Sequence, residues 1–364
     1  MSEELTKRVA HWVRPEIQAL RAYPVQSAAG LIKLDAMENP YTWPDGLRDE
    51  WTALLRNTDV NRYPDPTAQQ LVRALRPAMG IPDAMGVLLG NGSDELIQMI
   101  AMALAGPSRV VLSVEPTFVM YRMIATYCGM RYVGVPLHPD DFSIDRAAVL
   151  QAIQEHQPAV VFLAYPNNPT ANLFATDTLD EILAAAPGLV VVDEAYAPFT
   201  DASFMGRLGE FDNLVVMRTV SKMGLAGLRL GLVAGPSAWL NEFDKVRLPY
   251  NINVLTQASA AFALKHREVF DRQTQAIRDE RGKVADALAR FDGVTVFPSE
   301  ANFLLLRTPP GKASTWFTGL RDQGVLIKKL DGAHPALVDC LRPTIGTPAE
   351  NAALIAAFAE VAAR

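Results

Sequence analysis

From residue 87 to residue 219 the chain alternates short, nearly unbroken apolar runs with longer stretches whose apolar positions recur every three or four residues. "VLLG" leads into "SDELIQMIAMALAG", a helical pattern that opens on Ser93-Asp94 and stops at Gly106-Pro107. "RVVLSV" precedes a second helical stretch, "RYVGVPL" a third, and "AVVFLAY", "LVVVDEAY" and "NLVVMRTVS" continue the series. Valine and leucine runs without polar alternation are what strands buried on both faces require. The pattern therefore predicts an α/β fold with a mostly parallel sheet covered by helices on both sides. The last third changes character. Residues 254–290 read as one long helix, followed by "GVTVF", "ANFLLLR", "GVLIKK" and an Ala-rich helix from Pro348. That is a smaller α+β unit, joined to the proline-bearing segment 14–44. The expected division is an N-terminal arm and part of the small unit over 1–44, a large unit over 45–270, and a small C-terminal unit over 271–364.

Length agrees with two units, since 364 residues exceed what one hydrophobic core usually holds. A net charge of −6 with no dense Lys/Arg block argues against a nucleic-acid or membrane-surface partner and for small molecules. Cys128 and Cys340 show no CxxC spacing, so reduced thiols are expected rather than a disulfide frame or a metal site. "MSEELTKRVAHW" has no apolar core of a signal peptide, and no uncharged run nears the ~18 residues of a membrane span. A soluble, cytoplasmic protein is the expectation.

In open α/β sheets, ligands sit outside the carboxyl ends of the strands. Here those ends carry Gly90 to Asp94, Glu115 to Phe118, Tyr165 to Thr170, Asp193 to Tyr196, and Thr219 to Lys222. "GNGSDE" is a glycine turn into a helix start, which suits a phosphate, although a plain glycine-bearing cap reads the same way. Glu95 occupies the third glycine position of GxGxxG, so the dinucleotide fingerprint, and with it a nicotinamide-dependent dehydrogenase, is not supported. Asp193 follows four consecutive apolar residues, and a carboxylate at that depth needs a cation or a donor: a nearby arginine, or a protonated ring nitrogen. A lone lysine after a strand, such as Lys222 in "MRTVSKMGLAGLRLG", is ordinarily a solvated loop residue. Taken together, however, the strand ends match one chemistry. Pyridoxal phosphate needs a lysine for its aldehyde, an acid for its pyridinium, donors for its phenolate, an anion site for its phosphate and an apolar face for its ring. Lys222, Asp193, Asn168 with Tyr196, Ser93-Asp94 with Arg229, and Phe118 supply one candidate for each.

With these residues in view, the chain resembles the aspartate-aminotransferase superfamily of pyridoxal-phosphate enzymes, and within it the histidinol-phosphate aminotransferases. "MENPY", "RYPDP", "GNGSDELI", "EPTFVMY", "YPNNPT", "VVDEAY", "SKMGLAGLRLG", "ANFLLLR" and "CLRPTIGT" follow that pattern in order from about Tyr23 to the carboxyl terminus. The resemblance implies that Lys222 holds the cofactor and shuttles the proton at the substrate's α-carbon. Asp193 would keep the pyridinium charged, while Asn168 and Tyr196 bond the phenolate oxygen. Gly92, Ser93, Asp94, Thr219, Ser221 and Arg229 would hold the phosphate, and Phe118 would stack on the ring. Tyr63 in "NRYPDP" would reach the phosphate of a partner subunit, which implies a homodimer with shared sites. For substrate, the resemblance implies Arg342 on an oxyanion, Tyr23 and Asn39 closing over the ligand, and Lys328 where some relatives carry an arginine. The implied reaction is transamination between histidinol phosphate and 2-oxoglutarate. An aromatic-amino-acid aminotransferase and a threonine-phosphate decarboxylase are the alternatives. Two departures stand out: Ala171 follows "PNNPT" where glycine is usual, and the Lys222 to Arg229 spacing is one residue shorter than in some relatives.

Overall fold

The computed structural model describes residues 2–22 and 26–363. Its strands, in chain order, are β1 (Ile32–Leu34), β2 (Gly86–Gly90), β3 (Val110–Glu115), β4 (Arg131–Pro136), β5 (Val160–Ala164), β6 (Leu189–Asp193), β7 (Leu214–Thr219), β8 (Gly231–Gly235), β9 (Thr295–Val296), β10 (Leu306–Arg307), β11 (Val325–Lys329) and β12 (Cys340–Arg342).

Seven of them form the large sheet, in the order β2-β8-β7-β6-β5-β3-β4. Ladders from β4 to β7 are parallel. The strand β8 runs antiparallel to both its neighbours. Side chains alternate across a strand, so each apolar run feeds two cores. Val190 and Val192 of β6 enter one core with Leu163 and Val216, while Leu189 and Val191 enter the other with Phe162 and Val215. Both faces are thus dry, and polar groups are forced to the strand ends.

The second sheet has the order β1-β11-β12-β10-β9. Only β1 pairs parallel, bringing residues 32–34 across to β11. Leu34, Phe303, Leu341 and Phe358 pack beneath it. The single long helix expected over 254–290 is in fact two, Val254–Lys265 and Arg267–Leu288, broken at His266. The break changes the core being served. Ala260, Ala263 and Leu264 pack with the large sheet. On the second helix Phe270 still does, whereas Ile277, Val284 and Leu288 belong to the small one. The expected boundary at residue 270 falls inside this helix, and we propose that the helix is common to both units.

Candidate active site

The carboxyl ends of β3, β5, β6 and β7 open into a cavity of about 220 Å³. All the expected cofactor residues except Gly92 and Tyr63 line it, and Ala36, Met37 and Glu38 close it from the small-sheet side. A larger cavity of about 390 Å³ lies around Glu194 and Arg218. Its arginines already meet partners: Arg218 meets Glu194, Arg267 meets Asp271, and Arg278 meets Asp201. No lysine or cysteine lines it.

The last residue of β6 is Asp193, and its carboxylate is buried. The Tyr121 hydroxyl donates to its Oδ2 at 2.7 Å, and the Ala195 N–H donates to its Oδ1 at 3.1 Å. Burial pushes this acid up to about 7. The two hydrogen bonds pull against that rise, whereas the charges of Asp94 and Glu194 add to it. Of the two partners open to Asp193 from sequence, the arginine is taken by the next residue. Arg218 ion-pairs with Glu194 at 2.6 Å on the opposite face of the strand.

Beyond β7 the chain makes a short π-helical turn, Ser221–Leu225, that carries Lys222. Its Nζ stands 3.4 Å from the Ala36 carbonyl and 5.8 Å from the centre of the Tyr196 ring. Desolvation lowers this amine to about 8, with Arg342 and Arg229 adding repulsion and Glu38 and Asp94 opposing it. Asn168 donates from Nδ2 to the Tyr196 hydroxyl at 3.0 Å. Arg342 in turn donates from Nη1 to Asn168 Oδ1 and from Nη2 to the Asp35 carbonyl. Lysine, acid, amide and phenol therefore border one space, and the Arg342 guanidinium reaches it through its hydrogen bond to the amide.

At the other end of the cavity, Gly92 (φ +86°) precedes the helix Ser93–Leu104, which has no side-chain cap. Its free N–H groups and positive dipole end are exposed to a ligand. Arg229 adopts a left-handed φ of +48°, a strained conformation for a residue with a Cβ. There its guanidinium approaches so closely that a Cβ on Gly92 would lie 2.6 Å from Nη2. Arg229 also pairs with Asp94 at 3.5 Å, and Asp94 Oδ1 is buried with no hydrogen-bond partner among the described residues. Thr219 donates to the Ser221 hydroxyl at 2.8 Å on the same wall. Glu95, the residue that breaks GxGxxG, accepts from the Asn91 N–H and from Asn251, which fixes the turn. A helix start aimed beside an arginine, a buried acid and a desolvated lysine fit pyridoxal phosphate at three points: its phosphate, its ring nitrogen and its aldehyde carbon.

Some expected residues lie elsewhere. Tyr63 is 81% exposed and stacks on Tyr250, with ring centres 4.5 Å apart, outside this cavity. The Asn39 amide donates to the Met223 carbonyl and to Gln273, and accepts from the Tyr41 N–H, which places it behind the lysine turn. Lys328 sits on β11 directly opposite Arg342 on β12. Tyr23 lies outside the described residues. Ala171 has φ +65°, which gives the physical reason for glycine in that position. Sequence reasoning missed Tyr121 and Ala36; Tyr121 is one helical turn past Phe118, and no signal marked Ala36.

A family model for "Aminotransferase class I and II" matches residues 29–358. A histidinol-phosphate aminotransferase 2 of Nitrosococcus oceani is 56% identical over 96% of this chain and 97% of that protein. The histidinol-phosphate aminotransferase of Chromobacterium violaceum is 54% identical over 96% of this chain and 98% of its own length. Among solved structures, the histidinol-phosphate aminotransferase of Sinorhizobium meliloti in complex with pyridoxal-5′-phosphate superposes with a TM-score of 0.85 at 24% identity, covering 97% of this chain and 98% of that one. With a lysine, an acid and an anion cup on one cavity and relatives matched along nearly the whole chain, this protein belongs to the class I and II aminotransferases.

Proposed function

We propose that the chain transfers the amino group of L-histidinol phosphate to 2-oxoglutarate, giving imidazole-acetol phosphate and L-glutamate in histidine biosynthesis. The observation that carries this reading is identity above one half, over nearly full length, to relatives that bear that activity in their names. Pyridoxal phosphate, when bound, supplies the electron sink that lets the substrate's Cα–H bond break. Lys222 would take that proton from the α-carbon and return it to the cofactor's former aldehyde carbon, a task for which an amine near neutrality is suited. Asp193 holds a proton at the ring nitrogen, and Tyr196 with Asn168 donates to the phenolate oxygen. Arg229, Thr219, Ser221 and the amides at Ser93 and Asp94 bind the phosphate, while Phe118 covers the ring. Arg342, with Lys328 beside it, meets either the substrate phosphate or the α-carboxylate of the second substrate, both of which suit a guanidinium fork. Asn39 acts at one remove, by holding the turn that carries the lysine.

The working unit in this reading is a cytoplasmic homodimer in which Tyr63 serves the partner's phosphate. Its exposure and its place outside the lining of its own cavity support that reading. Steady-state assays decide the substrate. Histidinol phosphate with 2-oxoglutarate is expected to give the oxo product at a kcat/KM well above that of phenylalanine. Faster turnover of phenylalanine, or carbon dioxide release from threonine phosphate, overturns the assignment.

A further inference from the structure

Tyr121 is fully buried on the helix Met120–Tyr127 and belongs to no step described above. Its ring lies parallel to that of Phe162, with centres 4.9 Å apart and planes 12° apart. Edge-on, it meets Phe118, the residue at the cavity face, at 5.5 Å and 86°. Its hydroxyl donates to Asp193 Oδ2. One side chain thus touches both the acid and the residue that covers the ring face.

We propose that Tyr121 is a positioning residue for cofactor binding, which orients the Asp193 carboxylate through its hydroxyl and sets Phe118 through its ring. With Oδ2 held by Tyr121 and Oδ1 by the Ala195 amide, the carboxylate plane cannot turn, and its remaining lone pairs are directed by two fixed donors. Burial and the Asp193 charge keep the Tyr121 phenol well above its ordinary range, so it is a donor at every working pH. The other charged groups bearing on Asp193 are Asp94 from the helix start and Glu194, the residue just past the end of β6, and both favour protonation of the acid. The Tyr121 hydrogen bond opposes them. Its removal therefore raises the Asp193 pKa, and functions that need the anion are lost at a higher pH.

The inference rests on the reading that Asp193 meets the ring nitrogen, and the test separates the two. Pyridoxal-phosphate affinity of Tyr121→Phe, Asp193→Asn and the double variant is measured by absorbance titration of the purified apoproteins from pH 5 to 9. Tyr121→Phe retains both ring contacts and is expected to bind more weakly by about tenfold to a hundredfold, the worth of a hydrogen bond to a charged group. Its acid limb is expected to move to higher pH, and its kcat to fall more than its KM rises. The double variant is expected to bind no worse than Asp193→Asn alone, because the hydroxyl acts through the carboxylate. Unchanged affinity and an unchanged acid limb in Tyr121→Phe, or losses that add in the double variant, overturn the positioning role. Wild-type affinity in Asp193→Asn overturns the underlying site reading instead.

Discussion

A lysine attacks an aldehyde only after losing its proton, and for an ordinary side chain that requires a pH above ~10. Lys222 is desolvated beside Arg342, and both effects disfavour its charged form, bringing it to about 8. Capture of pyridoxal phosphate by the apoprotein should therefore accelerate as pH rises and level off slightly above 8. Stopped-flow absorbance checks this: a rate still climbing at pH 10 would contradict the depressed pKa, and Lys222→Ala should develop no Schiff-base band at any pH. Asp193 shows the complementary shift, since the same dryness that strips charge from the amine also disfavours it on the acid.

The turn from β2 into the helix Ser93–Leu104 is an element whose geometry rests on missing side chains. At Gly92 a methyl group would meet the tip of Arg229, which is flexible and can move, so Gly92→Ala should still fold. With φ +86° and ψ 167° the position lies in a backbone region nearly reserved for glycine, so a Cβ there costs about 1–3 kcal/mol, seen as a fall in Tm. The larger effect falls on the displaced guanidinium. Affinity for pyridoxal phosphate should drop at least tenfold while unphosphorylated pyridoxal, which does not use the cup, binds as before. Equal losses for both would place the damage elsewhere. Much of this element was legible: apolar runs end abruptly at polar clusters, and those clusters line the cavity. The strand β8 was not. Its glycines imitate a loop, yet a Cβ at Gly231 would lie 2.8 Å from the Ser93 amide nitrogen, and one at Gly235 would lie 2.6 Å from Val215. Tyr121 and Ala36 stayed hidden because their roles exist only as contacts between distant segments, 72 and 186 residues apart in chain position. The break at His266 was invisible for a related reason: a period of 3.6 continues across it, and only the change of core reveals it.

At the scale of the whole molecule, the exposed apolar residues Leu54, Val60, Tyr63, Leu248, Tyr250 and Leu255 fall on neighbouring segments around residues 45–66 and 245–265. Surfaces of that kind are commonly covered by another chain. If Tyr63 serves the partner's site, Tyr63→Ala and Lys222→Ala damage opposite halves of a shared site. Mixing the two inactive or weakened proteins under exchange conditions should recover activity that neither has alone, because a hybrid dimer holds one site with both side chains intact. No recovery, despite subunit exchange demonstrated by native mass spectrometry, would return Tyr63 to its own chain.

The antiparallel insertion of β8 between β2 and β7 carries a consequence for synthesis on the ribosome. A nascent chain that has emerged only as far as Leu230 already displays its lysine, its acid and its arginine. It still lacks the backbone at Gly231 that lies against Gly92 and Ser93, so its first and last central strands have nothing between them. Vitamin loading must then wait for the strand that arrives last in the large sheet, and truncated N-terminal fragments should emerge colourless.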